Sequence, residues 1–147
     1  MSKPVTPLVG CDTFILNEKD QVLLIQRSDS GLWALPGGFN DLGETPSECA
    51  ARECLEETGY VVKIEELLGV FSSKNYEYLH YQWKDNEIVH ILFRGVVVGG
   101  SAKTSNETKD VQWFSKDELP ELFDGHQRRI ELGFAKLAQP EMLPLFE

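Results

Sequence analysis

The chain has 147 residues, of which 41% are hydrophobic, and this length suits one domain with a sizeable core better than two. Its 24 acidic and 14 basic side chains give a formal charge of -10, which argues against non-specific binding to nucleic acid or to anionic membranes. A protein this acidic needs a cation between itself and any anionic substrate. We therefore treat residues 1–147 as a single domain whose partners are neither nucleic acid nor membrane.

The cysteines and the N-terminus predict the cellular compartment. Cys11, Cys49 and Cys54 form no CxxC pair and no disulfide framework. The N-terminus lacks an apolar signal core, and no apolar run approaches the length that spans a membrane. These features predict a soluble protein in the reducing environment of the cytoplasm.

The first third of the chain predicts a hairpin followed by a tight loop. Apolar runs at 7–16 and 21–27 are separated by the polar residues 17–20, which is typical of a β-hairpin. The Leu-Pro-Gly-Gly segment at 35–38 follows. Its glycines lack side chains, so a ligand or metal could approach the backbone and take a carbonyl oxygen.

A helix is predicted between Thr45 and Gly59. Thr45, Pro46 and Glu48 form a capping box in which Thr45 is the N-cap and Pro46 the first helical residue. Gly59 predicts the end of the helix, because glycine tolerates the left-handed conformation found there.

This helix carries three glutamates on one side. At about 100° per residue, Glu53 and Glu57 are neighbours with Glu56 on their flank, while Ala51 and Leu55 lie on the opposite arc, which we expect to pack. Like charges at such spacing repel and weaken a helix, so a cation should lie among them, and a hard divalent metal is the leading candidate. The spacing alone also suits a solvated acidic surface.

Beyond the helix, apolar segments predict strands at 61–71, 76–83, 88–98 and 111–114, with a turn at 84–87. The run at 88–98 is mostly apolar and predicts a central strand. A capped helical turn is expected at 115–119, and a second amphipathic helix at 126–138, with Ile130, Phe134 and Leu137 on its packing stripe and Leu132 off it. Strands flanked by helices on both sides predict an α/β fold, an α/β/α sandwich with a mixed β-sheet.

Residues 38–60 resemble the signature of the Nudix hydrolase family, to which MutT-like proteins belong. The signature is Gly, five residues, Glu, seven residues, Arg-Glu, an aliphatic residue, any residue, Glu-Glu, any residue, Gly and an apolar residue. Its charged and glycine positions are filled by Gly38, Glu44, Arg52, Glu53, Glu56, Glu57 and Gly59. Cys54 replaces the usual aliphatic residue, and because free cysteine packs as a small hydrophobe this change affects no catalytic position.

The resemblance implies a Nudix fold and a metal-dependent pyrophosphohydrolase. The substrate would be a nucleoside diphosphate linked to another moiety, such as ADP-ribose, a dinucleoside polyphosphate or a nucleotide sugar. Glu53, Glu56 and Glu57 would bind the metal together with the backbone carbonyl of Gly37. Oxygen ligands favour Mg²⁺, with Mn²⁺ as a substitute. Gly38, Glu44, Arg52 and Gly59 would be structural, with Glu44 and Arg52 bracing the loop against the helix.

The general base and the substrate-binding residues have alternative interpretations. In this family the base is a box glutamate in some members and a downstream carboxylate in others. Glu107 is the best-placed downstream residue, although an exposed loop acid is an equal interpretation. Arg27 could clamp a phosphate or mark the end of a strand. Tyr76 could contact the substrate or pair across strands.

The isolated histidines receive no role in this reading. His90 lies in an apolar run and suits a hydrogen-bonded core position, while His126 opens the second helix and could be solvated or contact phosphate.

Two other functions remain in view. One is a MutT-like hydrolysis of nucleoside triphosphates. The other is a Nudix domain that senses a nucleotide without turning it over, which the complete set of box glutamates disfavours. Family members are often dimers, so a homodimer is one expected assembly.

Overall fold

The computed structural model describes residues 5–75 and 87–147. The predictions made for Tyr76, for the strand at 76–83 and for most of the turn at 84–87 lie outside the described residues. Those predictions stay as they were made.

Eight strands and two α-helices make up the described regular structure. In chain order the strands are β1 (Leu8–Ile15), β2 (Val22–Arg27), β3 (Trp33–Ala34), β4 (Gly37–Phe39), β5 (Tyr60–Ser72), β6 (Ile88–Gly100), β7 (Thr108–Phe114) and β8 (Leu145–Phe146). The helices are α1 (Pro46–Thr58) and α2 (His126–Ala138), with short 3-10 turns at Ser73–Asn75 and Lys116–Glu118. None of the helices within 5–75 and 87–147 is long and apolar enough to cross a membrane.

The strands form two sheets. The five-stranded sheet has the order β4-β1-β6-β5-β8, in which β1 pairs with β6 in parallel and with β4 antiparallel, so the sheet is mixed. The second sheet has the order β3-β2-β7 and is antiparallel throughout. The predicted strands at 61–71, 88–98 and 111–114 are therefore confirmed, and β6 is central in its sheet as expected.

The two helices pack against opposite sides of these sheets. In β1, alternate residues face opposite ways, so Phe14 joins the core cluster of α2 while Cys11 joins Cys49 of α1. The α2 cluster is the larger and includes Ile130 and Phe134. The predicted α/β/α sandwich is confirmed, and β1 carries side chains to both helices.

Helix α1 begins and ends where the sequence predicts, but it packs through a different face. The Thr45 side chain accepts a hydrogen bond from the backbone of Glu48, and Gly59 adopts φ 81° at the C-terminal end. The buried residues are Cys49, Ala50, Cys54, Glu57 and Thr58. Leu55 is 51% exposed, so the packing arc predicted around Ala51 and Leu55 was wrong. The acidic side itself faces the protein, because Glu53 and Glu57 lie against β4.

Helix α2 also differs from its predicted stripe. Ile130 and Phe134 are buried as expected, and the Phe134 ring packs edge-on against Phe14 with centroids 5.2 Å apart. Leu137 is 44% exposed because it lies in the last turn of the helix. Leu132 is buried instead, in a cluster that extends to residues of the C-terminal segment. The apolar periodicity of one helix cannot show that a later segment of the chain will pack over a residue outside the main stripe.

The predicted hairpin at residues 7–27 was only partly right. A tight turn is present, in which the Asn17 N–H donates to the Gln21 carbonyl at 3.1 Å and Asp20 adopts φ 56°. A single bridge joins Leu16 to Val22, after which β1 and β2 separate into different sheets. This divergence opens the space that the candidate site occupies.

We expect Gly133→Ala to destabilise the protein. A Cβ at this position would overlap the Phe14 ring, so α2 could no longer approach β1 as closely. Alanine favours the helix by about 1 kcal/mol, but overpacking costs about 1–3 kcal/mol, so we expect a net loss measured by urea unfolding. The loss should shrink in a Phe14→Leu background, which provides space. A Gly133→Ala protein as stable as its parent would contradict this account.

Candidate active site

Strand β4 lies at the centre of the candidate site, and its two glycines permit close approach by carboxylates. A Cβ on Gly37 would collide with the Asp12 carboxylate, and one on Gly38 would collide with the Glu53 carboxylate. The predicted Leu-Pro-Gly-Gly loop is therefore partly strand, since Gly37 pairs with Asp12 and Gly38 with Cys11. The space left by the missing side chains holds acidic groups of the protein itself.

Glu57 is the most deeply placed of the box glutamates. One of its carboxylate oxygens, Oε1, accepts a hydrogen bond from the Gly37 N–H at 2.7 Å. Burial raises its pKa well above the ordinary range, and the nearby charges of Glu53 and Asp12 raise it further. A negative charge on Glu57 is therefore disfavoured by its surroundings, and a cation bound beside it would stabilise that charge.

Glu53 lies one turn earlier in α1 and lines the same cavity. Burial raises its pKa, while the Arg52 guanidinium opposes this shift from 2.8 Å. Arg52 also donates two hydrogen bonds to Glu44, at 2.9 and 2.7 Å, and a third to the Phe39 carbonyl. Arg52 thus ties Glu44 and β4 to α1 and fixes the carboxylate of Glu53.

Glu56 and Glu107 lie towards the solvent. The Glu56 side chain is 57% exposed and accepts a hydrogen bond from Arg52 at 3.2 Å. Glu107 lies on the loop between β6 and β7, and it lines a shallow depression together with Glu56 and Glu57. Glu107 also lines the main cavity, so it bridges the two.

Arg27 lies at the end of β2 on the rim of the cavity. Its guanidinium stacks over the Phe123 ring at 4.1 Å and forms an ion pair with Asp29 at 2.8 Å. The next residue is tied to the loop of Glu107, because the Ser28 N–H donates to the Glu107 carbonyl at 3.0 Å. The backbone beside Arg27 is therefore joined to that of Glu107, and both residues line the cavity.

Four polar residues that received no role from the sequence form the wall of the cavity next to α2. They are Asp12 of β1, His90 of β6, and His126 and Arg129 of α2, all buried. Asp12 Oδ2 lies 3.0 Å from Arg129 Nε and 3.7 Å from His90 Nδ1. The Arg129 charge holds the Asp12 pKa well below its ordinary value against the effect of burial. No sequence motif links these four positions, which are far apart in the chain. The signal that identifies them as a group is that all four are polar and buried in the structure.

The cavity has a volume of about 450 Å³ and two chemically different walls. The α1 side presents Glu53 and Glu57 with Gly37 and Gly38. The α2 side presents the residues of the buried polar group, together with Ala34 and Leu35. A volume of this order fits a nucleotide-sized molecule.

The α1 wall fits a divalent metal by the chemistry of its donors. Its side-chain donors are carboxylate oxygens, and the raised pKa values of Glu53 and Glu57 reflect negative charge that a cation would stabilise. Within 5–75 and 87–147, no three His, Cys, Asp or Glu side chains already converge on one metal position. Glu57 is turned towards Gly37 and Glu53 towards Arg52 instead.

The chain is similar to known proteins over most of its length. The NUDIX domain model matches residues 6–133. An ADP-ribose pyrophosphatase of Methanocaldococcus jannaschii is 37% identical over 129 residues, which cover 85% of this chain and 72% of that protein. The protein named "Putative 8-oxo-dGTP diphosphatase" of Bacillus subtilis is 34% identical over 130 residues, which cover 88% of this chain and 81% of that protein.

Solved structures show the same fold. The crystal structure of a UDP-X diphosphatase superposes with a TM-score of 0.84 and 28% identity, covering 99% of this chain and 70% of that one. This chain therefore belongs to the NUDIX domain family. It is a pyrophosphohydrolase, and hydrolases of this family generally need a divalent metal.

We expect Glu57→Gln to stabilise the metal-free protein at high pH. The raised pKa of Glu57 means that its contribution to stability is full below the unfolded value of 4.5 and is lost as pH rises through the folded value. Glutamine keeps an oxygen for the Gly37 N–H and does not ionise. Urea unfolding in chelator should show a gain of about 1–3 kcal/mol at pH 8 that shrinks towards pH ~4.5.

The matched control for this measurement is Glu131→Gln. Glu131 is exposed on α2 and hydrogen-bonded to Gln127, so its replacement should leave the pH dependence of stability unchanged. A Glu57→Gln protein that is less stable than the parent at every pH would contradict the origin assigned to the raised pKa.

Proposed function

We propose that this chain hydrolyses the pyrophosphate linkage of a nucleoside diphosphate joined to a second moiety, such as ADP-ribose, a dinucleoside polyphosphate or a nucleotide sugar. The observation that carries the proposal is the pair of carboxylates on one wall of a nucleotide-sized cavity, Glu57, which is buried, and Glu53, whose side chain is 14% exposed. A polyanionic substrate could approach them only together with cations. The relatives named for ADP-ribose and UDP-X support a diphosphate bearing a second group.

The metal we propose is Mg²⁺, with Mn²⁺ as a substitute. Glu53, Glu56, Glu57 and the backbone carbonyl of Gly37 would hold it, and all of these donors are oxygens, as Mg²⁺ prefers. When bound, the ion would neutralise phosphate oxygens and lower the pKa of water.

The chain's own residues would orient the substrate and protect its reacting part. Arg27 would contact a phosphate, because its guanidinium is held flat against Phe123 and one side of its fork is already fixed by Asp29. Such a cation loses little freedom when it binds. Arg52 would act only through Glu53 and Glu44, which makes it a positioning residue.

Glu107 is our candidate for the general base. It lines the cavity beside Glu57, and the hydrogen bonds from Ser28 to the carbonyls of Glu107 and Asn106 hold its loop in place. A base needs to reach the attacking water while its backbone stays fixed. The alternative is that a box glutamate takes the proton and Glu107 is an acid on the loop without a chemical role.

A second candidate substrate is a nucleoside triphosphate, as the name of the Bacillus subtilis relative suggests. The same carboxylates would serve that reaction. The preference between a diphosphate conjugate and a nucleoside triphosphate would therefore depend on the wall that contacts the nucleoside. The non-catalytic alternative is disfavoured because Glu53, Glu56 and Glu57 are all retained.

Cys11, Cys49 and Cys54 are free thiols, which supports our proposal of a reducing, cytoplasmic setting.

We expect the protein with Mg²⁺ to hydrolyse at least one nucleoside diphosphate conjugate to two phosphomonoesters. A panel of ADP-ribose, diadenosine polyphosphates, nucleotide sugars and nucleoside triphosphates separates the candidate substrates. Glu53→Gln and Glu57→Gln should each lower kcat at least a hundredfold, because each removes a proposed metal ligand, and Glu131→Gln should not. Nucleotide binding without any turnover would contradict the proposed hydrolysis and favour the nucleotide-sensing alternative.

We expect Glu107→Gln to lower kcat by about a hundredfold or more with little change in KM, since loss of a general base affects proton transfer rather than binding. Steady-state kinetics on the best substrate of the panel provide the measurement. Glu87→Gln, which replaces an exposed acid just before β6, is the matched control. A change of less than twofold for Glu107→Gln would assign the proton transfer to the glutamates of α1.

A further inference from the structure

His126 has one ring nitrogen occupied by the protein. Its Nδ1 accepts a hydrogen bond from the Leu35 backbone N–H at 3.1 Å. A nitrogen that accepts this bond carries no proton, so the hydrogen of the neutral ring is on Nε2. Because His126 lines the cavity, Nε2–H is the polar group that the ring retains for a ligand.

The ring is held neutral and in a fixed orientation. Burial lowers the pKa of His126 well below its ordinary value, and the charge of Arg129 lowers it further. The Phe123 ring packs beside it, with centroids 6.2 Å apart, and Phe123 is held in turn by Arg27. The cavity wall therefore offers a neutral, pre-oriented donor and not a cation.

The charges around His126 balance. The carboxylate of Asp12 and the guanidinium of Arg129 form a buried ion pair, and burial lowers the pKa of His90 so that this ring is neutral as well. Arg27, which we propose to contact a phosphate, lies at the cavity rim, where Asp29 pairs with it. At His126 itself the charges of Asp12 and Arg129 offset each other, so a phosphate placed there would gain little net charge attraction. An uncharged oxygen that accepts a hydrogen bond fits better.

The position of His126 relates it to the proposed reaction. Leu35, which it contacts, lies two residues before Gly37, the proposed metal ligand. Glu57 contacts the same segment by accepting the Gly37 N–H, so both walls of the cavity meet at residues 35–37. A substrate whose diphosphate lies against Glu53 and Glu57 would extend its attached group along the wall of His126.

We propose that the Nε2–H of His126 donates a hydrogen bond to a sugar hydroxyl of the group attached to the diphosphate, and that His126 therefore favours sugar-bearing substrates. A hydroxyl accepts from this N–H and can donate its own hydrogen to a carboxylate or carbonyl of the same wall. This inference rests on the proposed function. The competing role for His126 is purely structural: it would only brace Leu35.

Two substitutions at His126 separate these roles because each preserves one of its nitrogens. His126→Asn puts an amide oxygen near the position of Nδ1, which keeps the acceptor for Leu35 and removes the donor at Nε2. His126→Gln puts an amide near Nε2, which keeps the donor to substrate and removes the brace. The probes are ADP-ribose, which has a second sugar beyond the diphosphate, and a nucleoside triphosphate, whose one sugar is the ribose of its nucleoside.

We expect His126→Asn to lower kcat/KM for ADP-ribose by about tenfold, mainly through KM, and to change that for the triphosphate by less than twofold. His126→Gln should keep kcat/KM for ADP-ribose within about threefold while lowering the midpoint of urea unfolding. A structural role alone predicts the reverse order of the two variants. Equal losses on both probes would place the contacted oxygen on a part that both share, a phosphate or the nucleoside ribose, and would overturn the assignment to the attached group.

The failure of the proposed function would be visible separately. If the unmodified protein turns over no member of the substrate panel, the hydrolase proposal fails, and the affinity for ADP-ribose in the presence of Mg²⁺ becomes the readout. A roughly tenfold weaker affinity in His126→Asn, with His126→Gln close to the parent, would then still support the inference. Unchanged affinity, or no binding of ADP-ribose at all, would overturn it.

Discussion

The candidate site depends on one packing constraint: three carboxylates gather around two adjacent glycines of β4. Asp12 and Glu53 occupy the volumes that side chains at Gly37 and Gly38 would fill, and Glu57 is hydrogen-bonded to the Gly37 backbone. The protein stabilises these charges unequally. Arg129 pairs with Asp12 and Arg52 with Glu53, whereas the contact of Glu57 is a backbone N–H. The charge least stabilised within the protein is thus the one best suited to an added cation.

Much of the acidic wall could be predicted from sequence because local chemistry determines it. The capping box at Thr45, the stop at Gly59 and the spacing of the glutamates all lie within one helix, so a single stretch of sequence contains the information. The direction in which that helix packs was less accessible. An acidic face normally points to solvent, but here Glu53 and Glu57 point inward, while Glu56 and Leu55 are left exposed. Function reverses the usual relation between charge and burial at this helix.

The opposite wall could not be predicted because its residues come together only through the fold. Asp12, His90, His126 and Arg129 lie on three separate elements. In the sequence, Asp12 and His90 resemble isolated polar residues in apolar strands, while His126 and Arg129 resemble polar residues at the start of a helix. They meet because Gly133 lets α2 pack directly on the Phe14 ring of β1. The separation of β1 from β2 is likewise decided by tertiary pairing, since the turn between them matches an ordinary hairpin.

The tether between Ser28 and the loop of Glu107 gives the cavity mouth a mechanical property. Two hydrogen bonds, to the carbonyls of Glu107 and Asn106, join the end of β2 to a loop nearly eighty positions away in sequence. The backbone segments that carry Arg27 and Glu107, which have opposite charges, are therefore joined directly. A displacement that drew the arginine towards an incoming anion would then pull on the loop of the acid as well. Binding of an anion by Arg27 and positioning of the Glu107 carboxylate would then be coupled.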